Sequence, residues 1–479
     1  MHTRAVGQAA PSASTIDRLY PGVTPAALKF PNPDKRLAYG TAGFRDAAEL
    51  LESTLLRMGM LAALRSMKTG MAVGIAVTAS HNAAGDNGVK LVDPGGGMLE
   101  RAWEGAAEEL ANAPPHRLAF ALAEEGVALL GGAARDLGEL TTPQLHHCVR
   151  MANAERGGGP YWGRAEWRGE GGYFKMVASA FAEVRNAGTD GELNLNCGAE
   201  HAQKTQRPPA GFVAGRDNGK RCCSLDGDAD RLVYHYFDSS GVWHLLDGDK
   251  MAALVATFLQ EELAAAGLHH RLSMAVVQTA YANGASTAFL KANGIKVAFA
   301  ATGVKFLHHE ALRYDVGVYF EANGHGTVLF KDSAVSTLLS RQVRAAQQAR
   351  RRKALAVKRL LHVRQLVNQA VGDAFSDILL AEVILRLRKW GLPEWDAMYA
   401  DLPSRQVRAA TALRTARLNA EAHALDPRGR CFVRPSGTED AVRVYAEAAT
   451  QGEADALALA ALQVRARARV AYGEECEVI

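Results

Sequence analysis

The sequence is short of cysteine, and none of what it has is spaced for metal or disulfide work. Six cysteines stand at 148, 197, 222, 223, 431 and 476 of 479 residues. No C-x-x-C pair occurs, which argues against a zinc ribbon and a disulfide scaffold and predicts reduced thiols. Long apolar runs are lacking as well: stretches such as 71–77 and 456–462 fall far below the ~18 consecutive apolar residues of a membrane helix, so a soluble protein without a membrane partner is expected. No charge sign dominates. Lys and Arg number 55 against 51 Asp and Glu, a formal charge of +4, which gives no electrostatic case for nucleic acid or an anionic surface and leaves small charged metabolites as ligands. Residues 5–14 are small and polar with Asp17 soon after; this is no secretory core, and a cytoplasmic address is expected. No fixed-period repeat is present.

At about 150 residues per domain the chain predicts about three or four units. Residues 1–36 are rich in Pro, Ala and Ser and read as a lead-in, with order beginning near Leu37. The run 72–77 predicts a strand, 78–88 a polar loop, 89–92 a second strand and 98–111 a helix. The clearest pattern lies between 247 and 330. Asp247 or Asp249 caps a helix whose Met251, Leu254, Val255, Phe258 and Leu259 share one face. A strand at 274–277, a helix at 285–292 stopped by Gly294, a strand at 297–300, a helix at 307–313 and a strand at 316–320 follow. This alternation predicts an α/β domain with a largely parallel sheet. The Arg- and Lys-rich stretch 341–364 reads as a solvated helix face, because the whole-chain charge is nearly balanced. From about 394 a C-terminal unit carries strands at 431–434 and 441–447 and a helix at 453–469.

Four strings carry chemistry. Asp226-Gly227-Asp228-Ala229-Asp230-Arg231 sets three carboxylates at alternate positions. Converging within ~5 Å, each pair repels by about 3 kcal/mol at an effective dielectric near 20, so a cation is nearly obligatory and oxygen-only ligands point to magnesium, the alternative being a solvated acidic turn. Arg231 and Phe237 occupy the places where an EF-hand needs glycine and glutamate, which rejects calcium signalling. Ser80, in Thr78-Ala79-Ser80-His81-Asn82, sits on a loop at the end of an apolar strand. It lacks the G-x-S-x-G elbow of an acyl hydrolase. Arg434-Pro435-Ser436-Gly437-Thr438-Glu439-Asp440, with Arg443 beyond, offers guanidiniums, hydroxyls and loop amides to one anion, or forms an ordinary turn. Glu321-Ala322-Asn323-Gly324-His325-Gly326 follows a strand at the carboxyl edge of the sheet; Glu321 and Asn323 either grip sugar hydroxyls or an amide, or cap the turn. The pair His308 and His309 lacks zincin spacing.

These strings in this order resemble the α-D-phosphohexomutase superfamily, and within it the eukaryotic branch that acts on N-acetylglucosamine phosphates. Four further strings carry the resemblance: Tyr39-Gly40-Thr41-Ala42-Gly43-Phe44-Arg45; Asp86-Asn87-Gly88-Val89-Lys90 after the serine loop; Gln278-Thr279-Ala280-Tyr281-Ala282-Asn283-Gly284; and Thr302-Gly303-Val304-Lys305. Glucose and mannose enzymes of the superfamily typically carry Glu-x-Ser-Gly-His where this chain has Glu321 to His325.

The resemblance implies a multidomain fold, three α/β domains with mixed sheets plus a smaller C-terminal α+β domain around a central cleft, with boundaries at 37–150, 151–246, 247–393 and 394–479. It implies that N-acetylglucosamine 6-phosphate and its 1-phosphate interconvert through a 1,6-bisphosphate, in the supply of UDP-N-acetylglucosamine, in a protein expected to be a monomer. Ser80 is then the phosphoserine, joined at one magnesium ion by Asp226, Asp228 and Asp230. Arg45, Lys90 and Arg231 stabilise the transferring group, which agrees with the demand of phosphoryl transfer for positioning and charge neutralisation. Lys90 or His325 exchanges the hydroxyl proton. Glu321, Ala322 and Asn323 hold the sugar, with Thr302, Gly303 and Lys305 at the substrate, and Arg434, Pro435, Ser436, Gly437, Thr438 and Arg443 clamp the phosphate that is not transferring.

The chain also departs from the pattern. It is several dozen residues shorter than family members, with discrete gaps read between about 113 and 126, around 184–191 and at 414–430. Lost strands uncover sheet edges, so a catalytically impaired variant is the first alternative and a glucose or mannose phosphomutase the second.

Overall fold

Local apolar runs become strands wherever a partner strand is at hand. In the computed structural model, which describes residues 25, 28–40, 43–78, 85–112, 127, 130–135, 137, 139–154, 170–185, 193–196, 199, 202, 205–347, 351–409, 429–435 and 442–470, they form four separate sheets. The chain forms two compact units, Met1–Met176 and Val177–Ile479.

In the first unit, β1 (Phe44–Ala47), α1 (Glu52–Thr69), β2 (Gly74–Val77), β3 (Asp86–Val92), α2 (Arg101–Ala111) and α3 (Thr142–Ala154) follow in order, and α4 (Glu170–Arg185) comes next in the chain. The sheet order is β1-β3-β2, antiparallel at both pairings. β3 starts at Asp86, earlier than the apolar run alone predicts, because β1 pairs with residues 86–89. Phe44, Val89 and Leu91 meet Leu56, Met60 and Leu61 of α1 and Ala107 of α2 in the core. Arg65, nearly buried in α1, pairs with Asp93 and Glu100 at 2.8 Å each and fixes the approach to α2.

The second unit holds three sheets. β4 (Leu193–Asn196), β5 (Arg221–Leu225), β6 (Leu232–Phe237) and β7 (Trp243–Leu246) make a mixed sheet in that order, with β4 and β5 parallel. Then α5 (Gly248–Ala266), β8 (Met274–Gln278), α6 (Gly284–Ala292), β9 (Lys296–Phe299), α7 (Val304–Ala311), β10 (Val316–Phe320) and β11 (Gly326–Phe330) realise the alternation read from the sequence. Asp247 is the cap of α5; its carboxylate accepts from the amides of Asp249 and Lys250, which satisfies two of the orphan donors of a helix N-terminus. β9, β8 and β10 run parallel, and β11 adds an antiparallel edge. α7 begins and ends earlier than predicted, because Gly303, at φ 123°, turns the chain into the helix.

The basic stretch spreads over two helices, α8 (Asp332–Gln347) and α9 (Arg351–Leu366). It is solvated only in part. Arg359 donates to Glu262 at 2.8 Å, and Arg364 is 3% exposed, because α9 packs against α5. α10 (Ala374–Arg388) and α11 (Leu392–Asp396) lead to the last sheet, β12 (Ser404–Ala409), β13 (Arg430–Pro435) and β14 (Val442–Glu447), ordered β12-β14-β13 and antiparallel. α12 (Gln451–Val470) covers it with Ala454, Leu457 and Ala458 against Cys431, Val433, Val444 and Ala446.

Candidate active site

The hairpin of β5 and β6 closes with Leu225 opposite Leu232, and Leu225, Leu232 and Val233 are all buried. Between these anchors Asp226, Asp228 and Asp230 are 5, 5 and 6% exposed, and each offers a carboxylate oxygen within 4.8 Å of the others. The Asp226 carboxylate accepts from the amides of Asp230 and Arg231 at 3.1 Å each. Ala229 takes φ 57°, a left-handed conformation uncommon for a residue with a Cβ. Its carbonyl accepts from the Ala374 amide at 3.0 Å, at the start of α10. Burial, then the charges of Asp230 and Asp228, push the Asp226 carboxyl up to about 8, while Arg231 pulls the other way. Arg231 Nε stands 3.7 Å from both Asp226 and Asp230. Three buried carboxylates with all-oxygen donors fit a hard divalent cation, with oxygens from outside the loop filling the remaining places.

The Glu321 string is the turn joining β10 to β11. Glu321 N donates to the His325 carbonyl at 2.9 Å, and Gly324 N to the Glu321 carbonyl at 2.8 Å. The Asn323 side-chain oxygen accepts from His325 N at 2.9 Å, and its Nδ2 lies 3.4 Å from Glu321 Oε2. The turn reading and the ligand reading therefore hold together: local bonds fix the backbone and aim the side chains. Gly248 N, at the start of α5, holds the Ala322 carbonyl at 3.3 Å, and Gly303 N donates to Glu321 Oε1 at 3.2 Å. That second bond brings the Thr302, Gly303 and Lys305 string to the same place, with Lys305 buried in the first turn of α7.

The aspartate loop and the Glu321 turn touch directly. Arg231 and His325 form an antiparallel bridge, Leu232 N donates to the Gly324 carbonyl at 3.2 Å, and His325 Nδ1 is 3.4 Å from Asp230 Oδ1. Gly324, at φ 86°, packs so tightly that a Cβ would collide with the Leu232 carbonyl oxygen. Gly324→Ala is accordingly expected to lower the melting temperature by several degrees and to separate the two loops; a variant with unchanged melting and unchanged magnesium affinity would refute that close approach.

The other site residues divide as follows. In the first unit Arg45 lies opposite Gly88 and Lys90 opposite Ala76, so both side chains share one face of the sheet, where β2 ends. Ser80, which follows that strand, lies outside the described residues, as do Ser436, Gly437 and Thr438. Arg443 is exposed on β14, with Arg434 opposite it on β13, and Pro435 ends that strand. His308 bonds the Tyr319 hydroxyl at 3.0 Å, a structural contact. The sequence reading missed the support from behind: Gly372 backs the His325 ring and Ala374 holds the aspartate loop. The usable signal was Asp373, which caps α10 through the Ser376 amide ahead of an apolar run.

Comparison with known proteins gives consistent matches. The phosphoglucomutase/phosphomannomutase α/β/α domain I matches residues 59–117, and the C-terminal domain of the same group matches 399–464. Domain III of phosphoacetylglucosamine mutase AMG1 matches 247–390. The phosphoacetylglucosamine mutase of Arabidopsis thaliana is 41% identical, covering 91% of this chain and 96% of that one. Its alignment runs over 544 positions, more than the 479 residues of this chain, so that relative carries segments absent here. The Aspergillus fumigatus N-acetylphosphoglucosamine mutase, in complex with GlcNAc-6P and magnesium, superposes with a TM-score of 0.83 at 37% identity over 94% of this chain and 98% of that one. A serine-to-alanine variant of the same enzyme with glucose 1,6-bisphosphate gives 0.82 at 36% identity, over 94% and 98%. Separate sheets whose loops bring three aspartates against an acid, an amide and an imidazole, together with these matches, make the chain a member of the α-D-phosphohexomutase superfamily. Within it, the chain belongs to the phosphoacetylglucosamine mutase family.

Proposed function

We infer that the chain is a magnesium-dependent isomerase that interconverts N-acetylglucosamine 6-phosphate and N-acetylglucosamine 1-phosphate, through a phosphoserine at Ser80 and a 1,6-bisphosphate intermediate, for UDP-N-acetylglucosamine synthesis. One observation supports the reading most: His325 Nδ1 lies 3.4 Å from Asp230 Oδ1, so the aspartate loop and the Glu321 turn meet. The ligands of the Aspergillus enzyme, GlcNAc-6P and magnesium in one complex and glucose 1,6-bisphosphate in another, support it.

Asp226, Asp228 and Asp230 hold the magnesium ion, which when bound neutralises phosphoryl charge. Arg231, beside them, adds a fixed positive charge, and Arg45 and Lys90 supply the same from the serine-bearing sheet. Lys90 or His325 exchanges the hydroxyl proton. Glu321 and Asn323 recognise the sugar, with Ala322, Thr302, Gly303 and Lys305 around it, while Arg434, Pro435, Ser436, Gly437, Thr438 and Arg443 grip the distal phosphate. Boundaries at 37–150, 151–246, 247–393 and 394–479 belong to the same reading, supported by the matched stretches 59–117, 247–390 and 399–464. So do a monomeric state and a cytoplasmic address, which the buried Cys223 and Cys431, outside any disulfide, suit.

The test is a coupled assay of the purified chain with N-acetylglucosamine, glucosamine, glucose and mannose phosphates side by side. The N-acetylated sugar is expected to lead, because a site that bonds an amide rejects analogues lacking it. Asn323→Ser is expected to narrow that lead; an unaltered preference places recognition elsewhere. The longer alignment with the Arabidopsis relative favours a second reading, a chain of reduced activity and stability. Limited proteolysis with cuts clustered between 113 and 220 supports it, and a resistant chain with full turnover removes it.

A further inference from the structure

The run from Gln278 to Gly284 has no part in the chemistry above, yet four consecutive residues of it meet the last sheet or the chain leading into it. The Tyr281 ring stands edge-on to Phe432 of β13 at 4.9 Å and to Tyr445 of β14 at 5.6 Å. The Ala282 carbonyl accepts from the Arg430 guanidinium. The Asn283 side chain bonds both polar groups of the Leu402 backbone, at 2.9 and 3.1 Å, just before β12, while its own amide donates to Asp249 at 2.6 Å. Gly284 N, the first amide of α6, points at both oxygens of Glu447 at 3.1 Å. Gln278 bonds Ser286 at 3.1 Å and Thr287 at 2.7 Å and so braces the run against α6.

Glu447 is the centre of this joint. It is 1% exposed, and it also receives Arg430 Nε at 2.5 Å, Arg430 Nη2 at 3.0 Å and the Tyr445 hydroxyl at 2.8 Å. A buried carboxylate held by a guanidinium, a hydroxyl and the first amide of a helix is rigid. In the register of β13 and β14, Glu447 faces Arg430 at one end and Arg443 faces Arg434 four residues on, a span of roughly 13 Å at strand rise. The joint and the Arg434–Arg443 pair therefore stand at the two ends of one ladder.

We propose that Glu447 is a positioning residue that seats the β13 and β14 pair in a socket formed by residues 281–284 and thereby sets where the strand ends at Arg434 and Arg443 stand toward the distal phosphate. The proposal rests on the reading of the 434–443 string as a phosphate grip. Gly284 is part of the fit, since a Cβ there would collide with the Glu447 carboxylate. Glu447 touches no substrate; it acts through Arg434 and Arg443. Loss of a grip that holds ground state and transition state alike raises KM and spares kcat, whereas general destabilisation removes active enzyme and lowers apparent kcat at constant KM.

The experiment uses the full chain with magnesium and N-acetylglucosamine 6-phosphate, in four variants. Glu447→Gln keeps the shape and one acceptor, and Gly284→Ala attacks the same joint from the other side, so one remains informative if the other fails to fold. Each is expected to raise KM about tenfold with kcat within about twofold and magnesium affinity unchanged. The double variant is expected to be no worse than the more damaged single, because both break one contact. Arg443→Ala serves as the control on the grip itself and is expected to raise KM also. A folded Glu447→Gln or Gly284→Ala protein with the KM of the parent overturns the socket, as do additive losses in the double variant. If Arg443→Ala leaves KM unchanged, the grip reading fails instead, and with it the basis of this proposal.

Discussion

Ser80→Ala is expected to cut turnover by at least about 10³-fold while the melting temperature moves by no more than about 2 °C. A mutase whose intermediate is a bisphosphate needs a covalent phosphoryl store, because the protein must donate a phosphoryl group to the free sugar oxygen before it takes one back from the other oxygen. The serine follows β2 in the chain, and Arg45 and Lys90 share one face of that sheet. A loop hydroxyl contributes little to packing, which is why stability and activity are expected to separate. Intact mass after incubation with glucose 1,6-bisphosphate gives the second readout: the parent gains one phosphoryl group and the variant none. Parent-like turnover in the variant would remove Ser80 from the mechanism.

What the sequence reveals about this protein depends on how far apart the interacting residues lie. The cap of α5 at Asp247 and the alternation from there to β11 are local, set by side chains a few positions apart, and they are readable without knowing the fold. α1 is as long, but its inner face includes Ser53, Thr54, Arg57 and Arg65, all buried, and polar residues on the packed side blur the apolar stripe that identifies a helix. β1 and β12 are short and polar, and their pairing with β3 and β14 comes from residues some 40 positions away. The site shows the same division. The three aspartates announce themselves as a string, whereas the amide of Ala374 that steadies their loop lies far along the chain. Asn323 was legible both as a sugar ligand and as a turn cap, and the structure shows its oxygen engaged by His325 N.

Asp228→Ala is expected to lower turnover at least about 10²-fold and, in metal-free protein, to raise the melting temperature rather than lower it. Opposite effects on activity and stability follow from the geometry. With carboxylate oxygens within 4.8 Å of one another, each ionised pair costs about 3 kcal/mol at an effective dielectric near 20. Without metal the Asp226 carboxyl, pushed up to about 8, is mostly protonated near pH 7, so removing Asp228 eliminates its repulsion with Asp230 and one buried charge, while Arg231 stands 3.7 Å from both Asp226 and Asp230. Magnesium reverses the balance in the parent, since an ion that binds the folded state alone stabilises it in proportion to the logarithm of its concentration. The parent is therefore expected to gain melting temperature steadily with added magnesium, and Asp228→Ala to start higher and gain little. Exhaustive chelation should silence the parent and magnesium should restore it. A variant that starts lower than the metal-free parent, or that keeps both its magnesium-induced rise and its turnover, would show that the three aspartates shape the loop instead of holding a cation.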